Sequence, residues 1–220
     1  MQLRIPALTL LLGAFGCARG PVPCISPGTC GSGYECLANR CVPIGSDPVP
    51  PDARRIVLTP ADIAVVTANG QRPSLGIPSA VRFGSAQEGS SALFLRFGPV
   101  QTAATRIESA FLLLEPIPGA ARGIADVKVE ALRVGEDWND ETLSWSHQPR
   151  VGLPTSPGLA RGSPRSTLRI DVTELVRHQR QRSRTDVAVA IKASAGSDAG
   201  AAFATGATQG LAPRLEVYVR

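Results

Sequence analysis

Val127-Lys-Val-Glu-Ala-Leu-Arg-Val134 is the stretch that decides the fold class. Apolar side chains stand at 127, 129 and 131 with polar ones between them, the two-residue period of a strand that lays one face on a core. The period then slips to Leu132 and Val134, which predicts a bulge. Near the end of the chain, Leu215-Glu-Val-Tyr-Val219 repeats the pattern, with every odd position aliphatic. Similar short runs lie before and between the two, at Ile56–Thr59, Ile63–Ala68, Ala80–Phe83, Ala92–Phe97, Arg106–Glu115, Thr142–Trp145, Thr167–Ile170, Val187–Ala193 and Ala201–Thr205. The 22 glycines and 19 prolines punctuate these runs, as turns between short strands require. Aromatic residues are only 5% of the chain, so aliphatic side chains must form most of the core. The expectation is an all-β, two-sheet antiparallel sandwich, jelly-roll-like, with one short helix and a small disulfide-rich segment before it. The helix is Asp171-Val-Thr-Glu-Leu-Val-Arg-His-Gln-Arg180, with Thr173 or Asp171 as its cap and Leu175 and Val176 pinning it down. Gly152–Ser166, rich in Pro and Gly and without a period, reads as a long surface loop.

The first residues read differently. Arg4 and the apolar run from Leu8 to Phe15 form a signal peptide over 1–16, far shorter than the roughly 20 residues that span a bilayer. Ala14-Phe15-Gly16 fits ordinary cleavage and release. With Cys17 it also resembles a bacterial lipobox, although Ala14 stands where Leu is usual. Cysteine parity favours lipidation: Cys24, Cys30, Cys36 and Cys41 can pair among themselves, and Cys17 is left over. The lipidated end and cysteine-rich module thus span 17–41. So short a stretch cannot bury a core, and an exported location favours disulfides over zinc, whose usual C-x2-C spacing is absent. Four cysteines allow three pairings; the interleaved one, first with third and second with fourth, is the working choice. A Pro-rich linker follows over 42–53, with the geometry of a semi-rigid spacer. The main domain occupies 54–220. The net charge of +5 rests on arginine, since Lys128 and Lys192 are the only lysines, and no nucleic-acid-binding motif accompanies it.

Several blocks of 54–220 together resemble the DNRLRE domain, a β-sandwich module of secreted bacterial and archaeal proteins related to carbohydrate-binding modules. They are Ala61-Asp-Ile-Ala-Val65, Leu93-Phe-Leu-Arg-Phe97, Ile107-Glu-Ser-Ala-Phe-Leu-Leu-Leu114, Asp171-Val-Thr173 and Pro213-Arg-Leu-Glu-Val-Tyr218. The most specific is Trp138-Asn-Asp-Glu-Thr-Leu-Ser-Trp-Ser-His-Gln-Pro149, similar to the family's W-x-E-x-T-x-x-W-x-x-x-P block, with Asp140 in the usual glutamate position and Glu141 following. Residues 30–43 resemble the cysteine-rich modules that follow myxobacterial lipoprotein leaders. The resemblance implies a sandwich fold and an extracellular role.

Most candidate sites carry a functional and a structural reading. Trp138 and Trp145 suit either a sugar-stacking platform or core anchors, and the family signature favours the anchor. Tyr218 is expected in a strand with its hydroxyl at the surface. Glu136, Asp137, Asp140 and Glu141 suit a solvated acidic turn, a structural calcium site through Asp137, Asp140 and Glu141, or a glycosidase pair. His147 and His178 lie at no metal-ligand spacing. Arg177, Arg180, Arg182 and Arg184 form a basic run around His178 that suits either a solvated helix end, the favoured reading, or a grip on an anionic polysaccharide or a lipid phosphate. No catalytic residues are assigned. The expected function is a cell-envelope lipoprotein, held to the outer membrane or cell surface by its N-terminal lipid. Its non-catalytic sandwich binds a polysaccharide, anionic or neutral, or another envelope component. The alternatives are a secreted form, an adhesion module working through protein contacts, and a polysaccharide-degrading enzyme.

Overall fold

A computed structural model describes residues 30–37, 40–44, 49, 52–68, 78–84, 90–102, 106–119, 127–152, 158–162, 166–182, 185–193, 201–206 and 211–220. The strands are β1 (Tyr34–Leu37), β2 (Arg40–Pro43), β3 (Arg54–Leu58), β4 (Pro60–Thr67), β5 (Ala80–Phe83), β6 (Ser91–Phe97) and β7 (Ile107–Leu114). There follow β8 (Val127–Val134), β9 (Val151–Gly152), β10 (Gly158–Gly162), β11 (Leu168–Asp171), the helix α1 (Thr173–Gln181), β12 (Val187–Ala193), β13 (Ala201–Ala204) and β14 (Arg214–Val219). A six-stranded sheet runs β10-β8-β12-β6-β4, with β9 beside the end of β8, and a four-stranded sheet runs β11-β7-β14-β3. Every ladder in both is antiparallel. The pair β13–β5 forms a small sheet whose Phe83 and Phe203 stack inside the core at 6.1 Å.

The expected sandwich is what forms. Alternate residues of each strand face inward: Leu93, Leu95 and Phe97 from β6, Val127, Val129 and Ala131 from β8, Val187, Val189 and Ile191 from β12, and Leu215, Val217 and Val219 from β14. All are buried in one aliphatic cluster between the sheets. The sheets join at both margins, because β3 leads through Thr59 into β4, and β10 runs beside β11.

The slip in β8 is not a bulge. Its register with β12 is continuous from Val129 to Arg133. Leu132 and Val134 are apolar because they enter a second cluster on the opposite face of the same sheet, together with Phe94, Ala188, Ala190, Trp138 and Leu143. The strand is therefore buried on both faces in its second half. Register shifts occur instead at Pro60/Asp62 in β4 and at Tyr218/Val219 in β14.

Other expectations also change. Thr142–Trp145 forms turns, not a strand: the Asn139 carbonyl accepts from Thr142 N and Leu143 N at 3.2 and 3.0 Å, and the Asn139 side chain accepts from Glu141 N at 2.8 Å. An Asn side chain offering this local bond outcompetes the pairing that the Thr-Leu-Ser-Trp alternation suggests. The loop Gly152–Ser166 contains β10 and the end of β9. Of the two named residues, Asp171 serves the start of α1: its carboxylate accepts from Thr173 N, the first helical N–H, at 2.9 Å. The capping position is Val172, and Thr173 instead turns its hydroxyl to β7, accepting from Ala110 N at 2.9 Å. The Tyr218 hydroxyl is buried and donates to Glu216 at 3.0 Å; burial and that carboxylate raise its pKa.

Ahead of the sandwich, β1 and β2 form a hairpin, and Cys30 and Cys41 form a disulfide with a Cα–Cα distance of 5.5 Å. This is the second-with-fourth pair of the interleaved scheme; Cys24 lies outside the described residues, as do the leader and Cys17. The later part of the Pro-rich segment meets the sandwich. Val49 and Ala53 pack on Phe111, Leu113 and Tyr218 on the outer face of the four-stranded sheet, and Asp52 pairs with Arg220.

Trp138 is 8% exposed within the outer cluster, so truncating it removes a large buried ring and leaves a void. Trp138→Ala is expected to cost about 3–5 kcal/mol in denaturant unfolding. A loss under about 1 kcal/mol, within the range of an ordinary surface change, would remove the indole from the core.

Candidate functional site

The Trp138 block is a closed loop laid on the six-stranded sheet. Gly135 N donates to the Arg150 carbonyl at 3.0 Å, fastening its two ends, and β9 then returns along β8. Phe94 packs against the Trp138 ring at 6.0 Å, and the Arg96 guanidinium lies 4.9 Å from the ring centroid. Arg96 also donates to the Trp138 carbonyl and pairs with Asp62 at 3.3 Å and Asp186 at 3.8 Å. Trp145 is half-buried against the same cluster, and Lys192 Nζ ties the block to β12 by donating to Gln148 Oε1 at 2.9 Å. With Phe94 on the ring and a guanidinium over it, Trp138 has no open face for a sugar; the ligand-binding alternative fails and the favoured reading, a core anchor, holds.

The acidic residues of the block are exposed and dispersed. Glu136 pairs with Arg150 at 3.4 Å, and Asp140 accepts from Glu141 N at 3.0 Å. Among the described residues, no group of three or more His, Cys, Asp or Glu side chains is gathered as a metal ion would need. Asp137, Asp140 and Glu141 therefore do not form the expected calcium site. His147 is exposed and bonds locally to the hydroxyls of Ser146 and Ser144, at 3.0 and 3.3 Å.

The basic run divides along α1, which bridges the two sheets. Arg177 serves the framework: it donates to the carbonyls of Ile107 (2.9 and 2.8 Å) and Glu108 (2.8 Å) on β7, and to Glu174 at 2.7 Å. Its guanidinium is engaged, so it does not serve as the expected ligand-binding residue. Gln179 reaches the other sheet, donating to the Ala188 carbonyl of β12 at 3.0 Å. Arg180 is exposed, and Arg184 lies outside the described residues.

Arg182 stands at the end of α1 beside His178, which shares its basic run, and Arg133, which the sequence reading had not joined to them. Arg133 of β8 places Nη1 3.0 and 3.2 Å from the two ring nitrogens of His178. Arg133, His178, Gln179 and Arg182, with Val134 and Gly135, line a pocket of about 80 Å³. Gly152 makes room for this arrangement: a Cβ there would lie 2.7 Å from Arg133 Nη2. Neither Arg133 nor Arg182 has a carboxylate partner among the described residues, and Arg133 Nε is buried with no hydrogen-bond partner among them. Desolvation, then the Arg133 and Arg182 guanidiniums, lower the pKa of His178. Arg133 had been hidden by its position within a strand pattern, where a single polar residue reads as an outward-facing one.

The architecture is that of a β-sandwich binding module, with a basic pocket where its helix crosses from one sheet to the other. The sequence matches the model of carbohydrate-binding module family 96 over residues 62–218, so the chain belongs to that family, one of binding modules rather than catalysts. No curated protein matches the chain.

The lowered pKa of His178 fixes the sign of two pH effects. An unfolded histidine takes up a proton more readily, so the contribution of neutral His178 to stability is present above about pH 6.5 and is lost as pH falls below it. An anion beside Arg133, His178 and Arg182 favours the protonated ring, so the affinity of an anion whose own charge is constant over this range, such as a carboxylate polysaccharide, should rise as pH falls through it. Binding titrations between pH 8 and 5 are expected to show this rise in the wild type and a flatter profile in His178→Gln. An unchanged profile in the variant would contradict the assignment.

Proposed function

We propose that this protein displays its family 96 module at the bacterial cell surface, where the Arg133–His178–Arg182 pocket holds an acidic extracellular polysaccharide. The observation that carries this reading is the pair of guanidiniums beside one pocket with no carboxylate among the described residues to neutralise them. Arginine presents a planar fork of donors matched to oxyanions, and a charge-assisted bond of this kind contributes about 1.5–3 kcal/mol. Family membership supplies the carbohydrate. The DNRLRE resemblance of 54–220 and the leader sequence, with Cys17 left over in the count of five cysteines, support export and lipid anchoring. Fractionation tests the anchor: Cys17→Ser should move the protein from membranes to the soluble fraction, and a wild type already soluble would favour release.

A second reading, adhesion through protein contacts, draws on the four-stranded sheet ending at β3, where Val57 is exposed. Affinity electrophoresis separates the two readings. Acidic polysaccharides in the gel should retard the wild type, neutral ones should not, and Arg182→Gln should weaken the retardation about ten-fold, as expected for one lost charge-assisted bond. Added salt should reduce it further. Equal retardation by neutral chains, or an Arg182→Gln protein that behaves as wild type, would contradict the proposed site.

A further inference from the structure

Resting on that reading of the pocket, we infer that its preferred group is a dianionic tetrahedral oxyanion, a phosphate monoester carried on the glycan, in preference to a sugar carboxylate. Charge balance carries the argument. Arg133 and Arg182 bring two positive charges to the pocket, and neither is paired with a carboxylate among the described residues. A carboxylate cancels one of those charges; a phosphate ester, at about −1.5 to −2 near pH 7, cancels both.

The donor arrangement agrees. The guanidiniums come from different elements, β8 and the end of α1, with the His178 ring next to them. A planar carboxylate presents two oxygens in one plane, whereas a phosphate presents three acceptor oxygens spread in space, which suits donors arriving from separate elements. The pocket, of about 80 Å³, has room for one such compact group. The position at a helix C-terminus opposes an anion, but only by about half a charge. The carbonyls of His178 and Gln179 there already accept from Arg182 N at 3.3 and 3.2 Å, and two full positive charges outweigh the remainder.

Gly152 gives a way to disturb the pocket without removing charge. In Gly152→Ala the new methyl displaces the end of the flexible Arg133 side chain, at 2.7 Å, and its three nearest neighbours all belong to that side chain. Calorimetric titration of the full chain at pH 7.5 and constant ionic strength would use inorganic phosphate, glucose 6-phosphate and glucuronate as probes. The expected result is at least ten-fold tighter binding of glucose 6-phosphate than of glucuronate. Inorganic phosphate should compete for the same site, and both Arg182→Gln and Gly152→Ala should lose about ten-fold or more in affinity for glucose 6-phosphate. Circular dichroism and the thermal midpoint report whether each variant is folded. Glucuronate binding as tightly as glucose 6-phosphate, or phosphate binding untouched by folded forms of both variants, overturns the inference. Retention on acidic polysaccharide through Arg182 without any phosphate binding would sink the ester preference and leave the polysaccharide reading intact. Phosphate binding through Arg182 without retention on any polysaccharide would do the reverse.

Discussion

The covering of the six-stranded sheet on its outer face is the constraint from which the rest follows. A sandwich needs only one buried face per sheet, and the inner aliphatic cluster supplies that. Here Phe94, Leu132, Val134, Ala188 and Ala190 make the opposite face apolar as well, and the Trp138 loop must close over it. The closure is anchored by an indole against Phe94, a guanidinium over that indole, and a fastening between Gly135 and Arg150. Burial on both faces leaves few positions on β6, β8 and β12 for ligand contact, which directs recognition to the rim.

The rim acquires its chemistry from α1. This short helix contributes Val172, Leu175 and Val176 to the inner core and spans from β7 to β12 through Arg177 and Gln179. Those bonds fix its rotation, and the same rotation sets His178 and Arg182 beside Arg133 on β8. One helix thus spends one arginine on scaffold carbonyls and presents another to solvent. The outer face of the four-stranded sheet is partly withdrawn from binding by Val49 and Ala53, so the segment before the sandwich does more than keep the two folded parts apart.

Much of this was legible in the residues. Val187–Ala193 follows the strand period so plainly that its limits match the structure, Leu215–Val219 falls one residue short of β14, and the helix is displaced by only a residue or two. What misled was position-dependent. Leu132 and Val134 broke a period because a second layer covers them, and no local signal distinguishes that from a bulge. Thr142–Trp145 alternated like a strand, yet Asn139 turned it. The clustered arginines of α1 drew attention as a group, although packing assigns Arg177 to the framework. Arg133, 45 residues from His178 in sequence, could join the site only through the fold.

The account stands on Trp138 being a structural ring apart from the ligand pocket, and its fluorescence reports on that directly. In a Trp145→Phe variant, Trp138 is the only tryptophan of the chain. Its emission should be blue-shifted, resistant to acrylamide quenching and unchanged when acidic polysaccharide is added. A solvent-like emission that acrylamide quenches freely and the polysaccharide protects would contradict the account.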